Sequence, residues 1–128
     1  MRAKTLCVAV LWWAGCSNQL SGDLEINGER VKLTSCRNGI VYGFRGVELT
    51  ADSGMRVRIA ATQTGEAEVV VAPAGSDKGT RLGLCGSFAV ADQHSEINRV
   101  KNVEGKADLG CQAAGFTLKG GASFSNCH

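Results

Sequence analysis

The sequence has 128 residues, with 14 lysines and arginines against 12 acidic residues, and with 17 glycines and six cysteines. A charge this close to neutral argues against nucleic acid as a partner, since phosphate binding needs a basic excess. The length fits one domain, and the scarcity of large apolar side chains predicts a thin core that needs covalent support.

The first fifteen residues have the three parts of a secretory signal. Arg2 and Lys4 supply positive charge, residues 5–13 are almost wholly apolar, and Ala14 and Gly15 are small. The apolar run is roughly half of the ~20 residues that cross a bilayer as a helix. We therefore predict a signal peptide over residues 1–15 rather than a transmembrane helix.

The end of this leader resembles the cleavage box of bacterial lipoproteins. Ala14-Gly15-Cys16 matches its last three positions, and Trp13 stands where that family usually has an aliphatic residue. The resemblance implies that Cys16 carries a diacylglyceryl thioether and, after cleavage, a fatty acyl group such as palmitate on its amine. Two or three chains anchor a protein firmly, whereas one is marginal. Because Ser17 rather than an aspartate follows, the resemblance points to the outer membrane of the cell envelope.

Cleavage changes the composition of the chain that remains. Removing Arg2 and Lys4 leaves twelve basic and twelve acidic residues in residues 16–128. We expect residues 16–22 to be a short lipidated tether and residues 23–128 to be the folded domain. The alternatives are an ordinary secreted protein and a retained N-terminal segment with a buried Cys16.

Four cysteines belong to the expected domain: Cys36, Cys85, Cys111 and Cys127. An even number in an exported domain predicts two disulfides, and three pairings are open. We favour Cys36–Cys127 with Cys85–Cys111, because this nested pattern ties the early sheet to the last strand. The alternative is a metal site, which the lack of a C-x-x-C spacing disfavours, so we expect neither metal nor cofactor.

Short alternating segments fill the first half of the domain, at residues 24–26, 31–36, 40–44, 47–49, 55–60 and 66–72. Asn27-Gly28 is the strongest hairpin signal, and Arg37-Asn38-Gly39 predicts a turn. In the strand over 55–60, Met55, Val57 and Ile59 face one side and the two arginines face the other.

The second half is predicted to contain further short strands, at residues 87–90, 96–103, 116–119 and 122–125. Pro73–Gly79 is predicted to be a surface loop, and Gly120-Gly121 the turn of a closing hairpin. A short helix near Asp92–Glu96 is the alternative to an extended chain there.

This pattern predicts an all-β fold, either an antiparallel β-sandwich or a partly open barrel, tied by two disulfides. It is similar at a distance to the mycobacterial 19 kDa lipoprotein antigen family. The shared features are the opening Leu24-Glu25-Ile26-Asn27-Gly28, a strand that ends in a cysteine, and a last strand that ends in a cysteine. This likeness concerns construction and implies no function.

Two pairs of charged residues are candidates for a site. Arg56 and Arg58 lie two apart and share a strand face, as do Glu66 and Glu68. We expect ion pairs between the arginines and the glutamates across the sheet. The functional alternative is that Arg56 and Arg58 bind a carboxylated or phosphorylated envelope component.

The histidines give no catalytic pattern. His94 lies in a polar segment with Asp92 and Ser95, but sequence neighbours do not form a triad, and no Gly-x-Ser-x-Gly motif is present. His128 follows Cys127, and a disulfide there removes the thiolate that catalysis requires. We expect a protein that is not an enzyme, with a hydrolase using His94 as the alternative.

The sequence therefore favours a lipid-anchored envelope protein, held to the membrane through Cys16, whose β-domain interacts with another envelope protein. The alternative is a small ligand-binding module or an enzyme inhibitor in the periplasm or at the cell surface. Either would use rigid loops, such as Pro73–Gly79 and Asp92–Glu96.

Overall fold

A computed structural model describes residues 19–41, 44–76, 78–97 and 100–128. The predicted signal peptide and residues 16–18 of the predicted tether, Cys16 among them, lie outside these residues. The described chain contains no helix and ten strands: β1 Gln19–Gly22, β2 Glu25–Ile26, β3 Glu29–Arg30, β4 Leu33–Val41, β5 Phe44–Ala51, β6 Arg56–Ala61, β7 Glu66–Ala72, β8 Thr80–Ile97, β9 Val100–Ala113 and β10 Phe116–Cys127. The predicted all-β class is confirmed.

The strands form one antiparallel sheet. From β4 to β10 every strand pairs with the next strand along the chain, and the free edge of β10 takes up β2 and β1. A meander needs only short connections, because antiparallel neighbours join by tight turns. The predicted hairpin at Asn27-Gly28 is confirmed, with φ of 55° and 84° at its two residues.

The sheet curls into a half-barrel, so that its two ends approach each other. β4 lies near β1 and β10, but no strand pairing joins β4 to β1 within the described residues. We call this junction the seam. The Cys36–Cys127 disulfide crosses it, with the two Cα atoms 5.1 Å apart. Of the two predicted architectures, the partly open barrel describes the molecule.

The concave side of the sheet, which we call the inner face, holds the core. The largest fully buried side chains include Leu24, Leu49, Ile59 and Leu118. Removing one such aliphatic side chain from water stabilises the fold by about 1.5–3 kcal/mol. The predicted alternation in β6 is confirmed, because Val57 and Ile59 are buried inside.

A smaller apolar cluster lies on the outer face. Val41, Ala60 and Val70 pack together there. Gly79 packs closely against this side, since a Cβ added there would lie 2.3 Å from Val70 Cγ1. β7 is therefore buried on both faces, which explains its unbroken run of apolar residues.

Two predicted turns are wrong. Arg37-Asn38-Gly39 lies inside β4, which pairs with β5 without a break from Ser35 to Val41. Gly120-Gly121 lies inside β10, and the hairpin turn is instead at Ala114-Gly115. Gly120 has a φ of 100°, and a Cβ there would lie 2.5 Å from the Asp23 carbonyl oxygen. That glycine lets β10 approach the segment at Asp23 closely, and it does not reverse the chain direction.

The segment around residues 92–103 also differs from its prediction. β8 continues to Ile97, so the short helix near Asp92–Glu96 is wrong. The predicted strand over 96–103 is divided between β8 and β9, with Ile97 paired to Val100. A hairpin there gives both strands a partner over most of their length.

The first strand begins inside the predicted tether. Gln19–Gly22 forms β1, and Gln19 pairs with Ser125 of β10. The Asp23 side chain accepts a hydrogen bond of 2.9 Å from the Gly121 N–H, which continues the attachment beyond β1. The folded domain therefore includes residues 19–22.

Candidate functional site

The proposed lipidation site is separated from the fold by very few residues. Cys16 itself lies outside the described residues, and Gln19 is the first residue with a described position. Because consecutive Cα atoms are 3.8 Å apart, three residues span at most about 11 Å. A lipid on Cys16 would thus hold the start of β1 close to a bilayer.

The two predicted disulfides are present. Cys36 is bonded to Cys127, and Cys85 to Cys111. Three of these cysteines are buried, and Cys111 is half-buried. Disulfides of this kind form and persist in oxidising compartments.

A β-bulge near the end of β10 brings Cys127 into position. Phe124 faces inward, so strict alternation would turn residue 127 outward, but the register shifts between these two residues. Asn126 has a φ of 58°, and its N–H donates to Gln93 Oε1 at 2.7 Å. One extra residue of this kind reverses the face of the next side chain. The bulge therefore points Cys127 toward Cys36.

Arg56 and Arg58 lie on the outer face of β6, as predicted, but their partner is not the predicted one. Arg58 Nε donates to Glu48 Oε2 at 2.8 Å, and Arg56 Nη1 lies 3.9 Å from the same oxygen. Arg56 also donates to the Ser76 carbonyl. The expected pairing with Glu66 and Glu68 is wrong.

The two glutamates of β7 have different surroundings. Glu68 is 9% exposed and accepts a hydrogen bond of 2.9 Å from Arg81 Nε of β8. Glu66 is exposed and accepts from the Thr64 hydroxyl at 2.9 Å. The pairing of β7 with β8 shifts register between Glu66 and Glu68. The two carboxylates therefore have different neighbours on β8 and do not act as a pair.

Arg37 is a functional candidate that the sequence reasoning missed, because it was assigned to a turn. It is exposed on the outer face of β4, directly opposite Glu48 of β5. Glu48 in turn lies opposite Arg58 of β6. The alternation that continues from Cys36 through Arg37 was the available signal.

A shallow depression of about 450 Å³ lies over β8, β9 and β10. Four of its lining residues have small side chains, and two charged residues lie on β9, the middle strand of the three. It is lined by Ala89, Val90, Ala91, Glu104, Gly105, Lys106, Ser123 and Phe124. It is wide open to solvent, so it suits a side chain of a protein partner better than an enclosed small ligand.

Of the two predicted binding loops, the first is a surface loop in its described residues, and the second is part of a strand. Ser76 in the first loop accepts the hydrogen bond from Arg56 through its carbonyl, which ties the loop to the sheet. The other segment, Asp92–Glu96, belongs to β8, and Asp92 forms an ion pair with Arg45 of β5. Both segments are parts of the curled sheet or packed against it.

Of the two histidines, the structure describes only the side chain of His128. His94 lies in β8, and its side chain is outside the described part of the chain. His128 is exposed, with Nδ1 3.2 Å from the Asn126 carbonyl oxygen. The described residues hold no group of three or more side chains that could bind a metal.

The chain was compared with protein-family models, curated proteins and solved structures, and none of them matches it. Among the residues that the structure describes, none forms a helix that is long and apolar enough to cross a membrane.

Proposed function

We propose that this chain is a lipid-anchored cell-envelope protein whose β-domain is not an enzyme and interacts with another envelope component. The observation that carries the proposal is the position of Cys16. It follows Ala14-Gly15 at the end of an apolar leader and precedes the first strand by three residues. A residue in this position can hold the domain at a membrane without entering its core.

The disulfides support a compartment outside the cytoplasm. Two bridges tie a small sheet whose core consists mostly of valine, leucine and alanine side chains. A cytosolic protein would be kept reduced, and would lose this support. Within the cell envelope we propose the outer membrane, because the leader resembles lipoprotein signals and Ser17 follows Cys16.

The anchoring is tested by Cys16→Ser in cells, with Cys7→Ser as the matched control in the same leader. We expect Cys16→Ser to leave an unprocessed precursor without fatty acid label, while Cys7→Ser is processed and labelled normally. Globomycin, which blocks the lipoprotein signal peptidase, should reproduce the processing defect of the first variant. Normal processing and labelling of Cys16→Ser would overturn the anchoring.

The depression over β8–β10 is the proposed contact surface for an envelope protein, because its small side chains leave room for a partner's side chain. A photo-crosslinking residue placed at Ala91, inside the depression, should yield one discrete adduct with an envelope protein in cells. The same residue at Thr117, exposed on β10 outside the depression, should not. Equal adducts from both positions, or none from Ala91, would overturn this surface.

A further inference from the structure

The sheet divides at one end between β8 and β9. Their ladder of paired residues ends with Gly86 opposite Leu109, and no pairing of described residues continues it beyond that point. Residues 80–85 of β8 run beside β7 instead, and residues 110–113 of β9 pair with β10. We call these two segments the divided end. A link across it must come from side chains.

The Cys85–Cys111 disulfide is that link, and it lies at an irregular place in β8. The register of β8 against β7 shifts between Leu84 and Ser87. Cys85 therefore lies inside this shift on its β7 side and just beyond the end of the ladder on its β9 side. A backbone that is irregular on both sides moves locally without breaking a regular ladder.

The two disulfides also differ in burial. Cys36 and Cys127 are 1% and 0% exposed and Cys85 is 1% exposed, whereas Cys111 is half-buried. Cys111 lies two residues before β9 ends at Ala113, so it is close to the end of the half-barrel. Thiol–disulfide exchange requires a thiolate to reach one sulfur atom, so access selects both the bond and the atom that is attacked. Of the four bonded cysteines, Cys111 offers the most access.

We propose that Cys85–Cys111 is a redox-responsive bond, which a dithiol oxidoreductase opens while the domain stays folded. A thiolate of the dithiol attacks Cys111 Sγ, forms a mixed disulfide and releases Cys85 as a thiolate. The second thiol of the oxidoreductase then attacks the mixed disulfide and releases Cys111. The cysteine pair gains two electrons and two protons, and the dithiol is oxidised to a disulfide. The buried Cys36–Cys127 bond does not react until the domain unfolds.

Opening the bond frees the divided end to separate. Leu82, on its β8 side, belongs to the buried core, and Leu118 of β10 lies directly opposite Cys111. When the two segments part, these apolar side chains become accessible, while the ladder from Gly86 onward keeps the rest of β8 and β9 together. The redox state of one bond thus sets whether apolar surface is presented at this end. None of these steps requires a lipid on Cys16.

The first test measures reduction of the folded protein, purified from cells with both disulfides formed. N-ethylmaleimide blocks any thiol that is free at the start, dithiothreitol is added without denaturant, and iodoacetamide labels new thiols at timed intervals. We expect mass spectrometry to show that Cys85 and Cys111 are labelled about tenfold faster than Cys36 and Cys127. Equal rates, or faster reduction of the Cys36–Cys127 bond, would overturn the proposal.

Glutathione, a monothiol, tests which sulfur atom is attacked. The quenched intermediate should carry glutathione on Cys111 and a newly labelled thiol on Cys85. Glutathione found on Cys85 instead would overturn attack at Cys111.

Hydrogen exchange separates a switch from general support of the fold. With Cys85 and Cys111 reduced and the other disulfide intact, we expect about fivefold faster exchange in peptides that cover Gly86 and Leu109. Peptides from β5 and β6 are the internal control and should not change. Cys85→Ser/Cys111→Ser should give the same pattern without a reductant. Unchanged exchange at Gly86 would exclude the switch, and faster exchange across the whole domain would show that the bond supports the entire fold, so either result overturns the proposal.

Discussion

The two disulfides hold junctions of different kinds. Cys85–Cys111 joins β8 to β9, which are also joined by a long ladder of paired residues. Cys36–Cys127 joins β4 to the end of β10 across the seam, where the described residues provide no strand pairing. The first bond adds to a pair of strands that is already hydrogen-bonded, whereas the second joins two strands that are not paired with each other. This small half-barrel is therefore most sensitive to changes at its seam.

The largest expected effect comes from removing one disulfide at a time. Sequence separations of 91 and 26 predict losses of about 4.5 and about 3.5 kcal/mol of unfolding free energy in the chain-entropy model. We expect the measured difference between the two losses to be larger than this, because β4 can move away from β10 once the Cys36–Cys127 bond is absent. Urea denaturation of the double variants Cys36→Ser/Cys127→Ser and Cys85→Ser/Cys111→Ser measures both. A larger loss from the second variant would reverse the comparison.

The pairing of β8 with β9 is tested by adding a methyl group where the two strands approach closely. A Cβ at Gly105 would lie 2.0 Å from the Ala89 carbonyl oxygen and 3.0 Å from Phe124 Cζ. We expect Gly105→Ala to cost about 2–3 kcal/mol, because the sheet must move to admit the methyl group. Gly110→Ala on the same strand has open space and should cost nothing measurable. Similar thermal shifts for both variants would contradict the tight packing of β8 against β9.

The smallest effect concerns the bulge that presents Cys127 to the seam. Asn126 has a φ of 58°, which costs an ordinary side chain about 1–2 kcal/mol. Asn126→Ala should therefore be less stable than Asn126→Gly by about 1 kcal/mol, although both lose the 3.2 Å hydrogen bond from Gln93 Nε2. Denaturation midpoints give the comparison. If alanine is as stable as glycine, the bulge does not have this conformation.

Much of the sheet could be predicted from local patterns. Asn27-Gly28 and the alternation from Met55 to Ile59 have strong local signals, and the structure confirms both. The disulfide pairing was also predicted, although only by preferring one of three arrangements. Strand length was predicted poorly, since Gly39 and Gly120 suggested turns where the structure has continuous pairing.

The charged partners could not be predicted, because they depend on register. Glu48 rather than Glu68 binds Arg58, and this follows from the pairing of β5 with β6 and from the shift between β7 and β8. No short-range pattern specifies such a shift. The same reason explains why Arg37 was missed until β4 was seen to continue through it.

The central claim is that Cys16 is the lipidated first residue of the mature protein. Intact-mass and fragment-ion spectrometry of the protein purified from membranes tests it most directly. We predict a mature N-terminus at Cys16, with a diacylglyceryl group on its sulfur and an acyl group on its amine, and with both domain disulfides intact. A mature chain that begins elsewhere, or that begins at Cys16 without lipid, would contradict the account.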